Sequence, residues 1–294
     1  ILVINTRSIY HSLLVINNRG YNFKEKSIYR QIKDDQLRVK SKDLPRNRKV
    51  KKKQVDTEYK NKESIEGHMY DDYEKYKKEN KDAIETQMDT VIGIINANDP
   101  VILTLEIVEI SFMFIFKLNR KTFEETLKKL QEFENNITSE TFNKIMEILL
   151  TDNGSEFKNL STIIEIFPNI NIFYCHPYSS FEKGNIENNH EFIRRVIPKN
   201  ISLKPYTQED YNLLSSHINS LYRRKLDGKC PFDLINDYIP IDVLNKMGLK
   251  KIADKDVNLT PHLLGNKNIE NIKKYLDYND IKKANISITK KEDN

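Results

Sequence analysis

The sequence predicts an α/β chain built on a mixed sheet, and a change of composition from Ile84 and a change of hydrophobic period after Asn119 carry that prediction. Three runs rich in β-branched and aromatic residues, "MDTVIGII", "VILTLEIV" and "SFMFIFKL", are separated by short polar breaks at 96–100 and around Glu109. Such spacing marks a three-strand antiparallel meander. After Asn119 the period changes from 2 to 3.6, with Phe123, Leu127, Leu130 and Phe133 on one helical face. Strand and helix then alternate. Strands joined through helices run parallel and are covered on both faces.

The elements follow in order. A second helical stretch surrounds Phe142 to Met146, "EILLTDNG" is a buried strand, "LSTIIEIF" a short helix and "INIFYC" another strand. The turn "HPYSS" leads into "KGNIENNHEFIRRVI", whose Ile186, Ile193 and Ile197 form an apolar helical stripe. Three strands, helix, strand, helix, strand, helix is the order of a ribonuclease H-like fold. Periodicity alone leaves a flavodoxin-like arrangement open.

Composition bounds the rest. A chain of 294 residues accommodates one domain of about 150 residues with flanking pieces. Net charge is only +5, but residues 38–53 hold nine basic side chains, among them Arg46, Arg48 and Lys49, against the single acid Asp43. Such a block suits a phosphate backbone or a solvated linker. "KEKSIYRQIKDDQL" reads as a short helix presenting Arg30 and Lys33, either the second helix of a helix-turn-helix or an ordinary surface helix. "YDDYEKYKKEN" reads as an exposed helix. Cys175 and Cys230 form no CxxC pair, which favours a reducing cytoplasm and argues against zinc. No apolar run of about 18 residues and no signal-peptide pattern occurs, so neither membrane nor export is expected. The first residue is Ile1, as in a fragment or a processed chain. Abundant Ile, Lys, Asn and Tyr without Trp hint at an AT-rich bacterial genome.

Three acids interrupt the apolar core segments. Asp89 lies inside the first strand, Asp152 closes the fourth, and Glu187 lies one turn into the last core helix. A buried carboxylate needs a hydrogen bond, a base or a metal. Taken singly, Asp89 reads equally as a satisfied strand residue, Asp152 as a turn former before Asn153 and Gly154, and Glu187 as a solvent-facing acid. Functional crevices lie at the carboxyl ends of parallel strands, which draws Asp152 toward the middle of the first strand. Converging carboxylates without His or Cys form a hard oxygen site suited to Mg²⁺ or Mn²⁺, and a pair of such ions cleaves phosphodiesters.

"MDTVIG", "ILLTDNGSEF" and "IFYCHPYSSFEKGNIENNHEFIRRVIPKN" resemble the three catalytic segments of bacterial insertion-sequence transposases of the insertion sequence 30 family. That resemblance implies a ribonuclease H-like integrase core, a mixed five-stranded sheet flanked by helices, with an N-terminal helical DNA-binding segment. It places an Asp, Asp, Glu triad on Asp89, Asp152 and Glu187, with 34 residues between the last two. Glu156 and Phe157 are read as structural. "KSIYRQIKDDQLRVKSKDLPRNRK" resembles the end of the family's helix-turn-helix and its linker, and "HINSLYRRKLDGKCPFDL" the helix and turn after the core.

The expected organisation is a helix-turn-helix-like remnant at 1–40, a basic linker and helix at 41–80, an integrase-like catalytic core at 81–240 and a C-terminal tail at 241–294. The resemblance implies a transposase that binds two Mg²⁺ or Mn²⁺ ions, cuts the ends of a mobile element and joins the 3′ hydroxyl to target DNA. It further implies double-stranded DNA carrying terminal repeats as partner, a homo-oligomer, and a bacterial cytoplasmic location at the nucleoid. Expected DNA contacts are Arg30, Lys33, Arg46, Arg48, Lys49, Lys183, His190, Arg194, Arg195 and Lys199, with Arg223, Arg224 and Lys225 as further candidates. His190 reads equally as a packed core histidine. Departures from the family pattern are Gln87 in place of an acid, His176 in place of Asp, and a shortened N-terminal helix-turn-helix region. A structure-directed nuclease on the same fold and a truncated DNA-binding remnant are the alternative functions.

Overall fold

The computed structural model describes residues 5–6, 8–40, 44, 66–95, 98–157, 159–177 and 179–275. Its centre is a sheet of β1 (Glu85–Ile92), β2 (Val101–Ile107), β3 (Phe112–Leu118), β4 (Ile148–Thr151) and β5 (Asn171–Tyr174). The strand order is β3-β2-β1-β4-β5. β1 to β3 form the antiparallel meander, and β4 and β5 add in parallel to β1.

The side-chain period of two divides the strands between two cores. Leu103 and Leu105 of β2 and Phe112, Phe114 and Phe116 of β3 face one side. They pack on Leu130 and Phe133 of α4 (Phe123–Ile137) and Phe142 of α5 (Ser139–Ile145). Phe133 is the hub, with ring centroids 4.8 Å from Phe114, 5.3 Å from Phe116 and 6.0 Å from Phe142. On the other side Val91, Ile102, Met113 and Ile115 meet Ile193 and Val196 of α7 (Gly184–Val196) and Leu214 and Ile218 of α8 (Gln208–Asn219). Helices thus cover both faces, as the alternating β and α pattern requires.

Outside the sheet are α1 (Ile9–Asn17), α2 (Glu25–Lys33), α3 (Tyr70–Glu79), α6 (Leu160–Ile166), α9 (Ile241–Lys246) and α10 (Gly265–Tyr275). α3 is not the fully exposed helix its polar sequence suggests. Tyr70, Tyr73 and Tyr76 pack against Phe173 and its neighbours at the β5 edge, because tyrosine buries its ring while its hydroxyl finds a polar partner. The Tyr73 hydroxyl donates to Glu85 at 2.8 Å. Leu244 and Leu249 join the first core, and Val257, Leu259 and Ile272 the second, so residues 241–275 are built into the fold.

α1 is docked through its buried histidine. His11 Nδ1 accepts the Tyr222 N–H at 3.1 Å, leaving Nε2–H to donate to the Asp254 carbonyl at 3.0 Å. The Asn5 carbonyl accepts the Leu259 N–H.

Candidate active site

Register places the two aspartates together. Glu85 pairs with Ile148 and Gln87 with Leu150, and two further residues along each parallel strand lie Asp89 and Asp152. The period of two sends both to the α7 side of the sheet. One cation joins them: Lys183 Nζ lies 3.3 Å from Asp89 Oδ1 and 3.7 Å from Asp152 Oδ2. Burial pushes the Asp152 carboxyl up, the Lys183 ammonium pulls it down, and the charges of Asp89 and Glu156 push it up again.

α7 is fixed against this strand end by Gln87. Its side-chain carbonyl accepts the Ile186 N–H at 3.1 Å while its amide donates to Glu85 at 2.9 Å. A second acid at position 87 would repel Glu85; the amide does both jobs. From this anchor Lys183 at the N-cap and His190 in the helix both reach Asp89, His190 Nδ1 lying 3.9 Å from Oδ2. Glu187 is half-buried in the first turn, on the same i, i+4, i+7 stripe between them. Among the described residues, however, no three His, Cys, Asp or Glu side chains stand close enough together to hold a metal ion. The structure brings Asp89 and Asp152 together about Lys183. Two hard carboxylate donors on a shared cation have the donor chemistry Mg²⁺ or Mn²⁺ requires.

The state of His190 follows from hydrogen-bond logic. The Thr104 hydroxyl donates its only proton to the Asp89 carbonyl at 3.0 Å, so it accepts from His190 Nε2–H at 2.8 Å. Nδ1 then carries the lone pair turned toward Asp89. Burial, with Lys183 and Arg194 nearby, pushes this imidazole down to about 3, so it is neutral.

Glu156 belongs to the same corner but to the other face. It is fully buried, accepts from the Thr90 hydroxyl at 2.8 Å and pairs with Lys121 at 3.0 Å. Gly154 is required above it: a Cβ there would stand 2.6 Å from Glu156 Oε2 and 3.1 Å from Asp152 Oδ1. Phe157 is a core side chain.

Several residues expected on DNA are directed inward. Lys183 is 4% exposed and spent on the two aspartates. His190 is spent on Thr104, and Arg194 Nη2 donates to the Ile92 carbonyl at 2.8 Å. Arg195 lies on the Phe192 ring and donates to the Thr6 carbonyl. Arg223 also lies over the Phe192 ring, 4.2 Å from its centroid, and donates to Asn189. Arg224 pairs with Glu25, and Lys225 donates to the Val108 carbonyl. Arg224 and Lys225 nonetheless keep exposed positions, as do Arg30, Lys33 and Lys199, while Arg46, Arg48 and Lys49 lie outside the described residues. Cys175 and Cys230 are both free and buried. No helix among the described residues is long and apolar enough to cross a membrane.

Two contributors escaped the sequence reading. Thr104 and Glu106 interrupt "VILTLEIV" at alternate positions, and register sets them opposite Asp89 and Gln87. That polar pair in an apolar run was the available signal. Burial pushes the Glu106 carboxyl up, against the pull of Asn189, Lys225 and Arg223.

Sheet order and the helical crossovers together define a ribonuclease H-like fold. In sequence the chain is homologous to bacterial insertion-sequence transposases. It is 28% identical over 207 residues to a probable transposase for the insertion-like sequence element IS1161 of Streptococcus salivarius, covering 68% of this chain and 54% of that protein. It is 32% identical over 66 residues to the transposase InsI of element IS30A of Escherichia coli, 22% of this chain and 17% of that one. It is 27% identical over 146 residues to the transposase of IS4351 of Bacteroides fragilis, 48% of this chain and 41% of that one. The chain thus spans about half the length of the first of these relatives. The catalytic core domain of BIV integrase superposes with a TM-score of 0.37 at 16% identity, covering 53% of this chain and 95% of that one. No family model matches the sequence.

Proposed function

We propose that this chain is the catalytic part of a DNA transposase that cuts DNA at the ends of an insertion sequence and joins the freed 3′ hydroxyl to target DNA. The observation that carries the reading is Asp89, inside β1, and Asp152, just past the end of the parallel neighbour β4, sharing one cation in a homologue of transposases. Asp89 and Asp152 are assigned to hold Mg²⁺ or Mn²⁺, and Glu187, which forms no three-acid cluster with them in this structure, is assigned as the third ligand. A pair of ions held there would supply an activated water or hydroxyl and charge stabilisation for the leaving oxygen.

The protein's own part is orientation. Thr104 holds the Asp89 main chain and the His190 ring, Gln87 holds the start of α7, and Gly154 lets the turn present Asp152. Arg30, Lys33 and Lys199, with Arg46, Arg48 and Lys49, are assigned to the DNA backbone, where cations neutralise phosphate and position the duplex. A homo-oligomer bridging two DNA ends at the nucleoid completes the proposal.

The test is strand transfer with labelled DNA carrying candidate element ends, in Mg²⁺ or Mn²⁺, beside Asp152→Asn. Joined products that need both metal and Asp152 support the reading. Hydrolysis without joining makes the chain a nuclease, and binding without cutting makes it a DNA-binding remnant.

A further inference from the structure

Lys183 is where a buried ammonium is least expected. It stands at the N-cap of α7, where the helix dipole disfavours positive charge. Its flexible stem would ordinarily carry the charge to solvent. Instead it is 4% exposed, with Nζ 3.3 Å from Asp89, 3.7 Å from Asp152 and 3.4 Å from the Met88 carbonyl. Among the described residues the two carboxylates, with the Met88 carbonyl, offset the burial of that charge. In return the ammonium offsets the repulsion of two acids set side by side by the β1–β4 register. A divalent ion using the same two carboxylates meets this positive charge at contact distance.

We propose that Lys183 is a built-in counter-ion of Asp89 and Asp152, a positioning residue that competes with the divalent metal for both carboxylates and thereby sets the metal concentration at which the site loads. This rests on the assignment of Asp89 and Asp152 as metal ligands. It goes beyond that assignment in making metal affinity a property of a lysine that binds no metal.

The test is Mn²⁺ binding to the full chain, followed by electron paramagnetic resonance of the free ion, for the wild type, Lys183→Gln and Lys183→Arg. Removing one positive charge at this range tightens binding about tenfold or more in Lys183→Gln, while Lys183→Arg keeps the wild-type affinity. Lys183→Gln binding within twofold of wild type, or more weakly, overturns the proposal and leaves the metal site standing. Mn²⁺ binding by none of the three proteins overturns both. In wild-type protein with ¹⁵N-labelled lysine, the Lys183 Nζ resonance shifts in step with Mg²⁺ occupancy. A resonance unmoved while the ion binds overturns the proposal even where the Gln variant fails to fold.

Discussion

His217 makes the stability of this protein fall with acid in a way that a single substitution isolates. It lies on α8, 7% exposed, and its Nδ1 accepts the Asn258 N–H at 3.0 Å, tying the 254–260 segment to the second core. Protonating Nδ1 breaks that bond inside an apolar layer. Burial pushes the imidazole down to about 4, against a smaller opposing pull from Asp256. Because the folded value lies below the unfolded value of about 6.5, the unfolded chain takes up the proton first. The contribution is therefore intact above that unfolded value, shrinks as pH falls, and is gone below the folded one. Between pH 7 and pH 5 the difference amounts to about 2 kcal/mol. Urea unfolding of the wild type and of His217→Asn, which offers an oxygen acceptor but no titrating group, measures it at both pH values. The wild type loses about 2 kcal/mol more than the variant; His190, His11 and the carboxylates act in both proteins and cancel. Equal losses in the two would refute the reasoning.

Other outcomes follow from named contacts. A Cβ on Gly93 would stand 2.2 Å from the Ile201 carbonyl oxygen, a backbone atom no rotamer can move; Gly93→Ala is expected to cost about 2 kcal/mol or more in chemical denaturation. Thr104→Val leaves the Asp89 carbonyl and His190 Nε2–H without their partner, costing about 1–3 kcal/mol in the same assay, and strand transfer is expected to fall further than stability explains. Phe133→Ala removes the aromatic hub of the first core and is expected to destabilise by about 3–5 kcal/mol, read by the denaturation midpoint. The double variant Arg30→Ala, Lys33→Ala is expected to weaken DNA binding uniformly across sequences and to reduce the salt slope by about 2, measured by fluorescence anisotropy at several NaCl concentrations.

The sequence by itself determined the order of elements. Runs such as "VILTLEIV" are short, continuous and β-branched, "FEETLKKLQEF" repeats with period 3.6, and burial acts on those local patterns directly. It also drew attention to Asp152, because an acid and a glycine closing an apolar strand are visible without any fold. The sequence could not say what faces what. The pairing of Asp152 with Asp89 depends on the β1–β4 register, and the inward turn of Lys183, Arg194 and Arg195 depends on where α7 lands. A lysine or arginine reads the same on a solvated face as in a buried ion pair, since its long stem reaches either. The tyrosines of α3 show the same limit: their one-sided burial requires the β5 edge, which lies about a hundred residues further along the chain. Local period is set by neighbours in sequence, whereas the partner of a charge is set by neighbours in space, and only the assembled sheet supplies those.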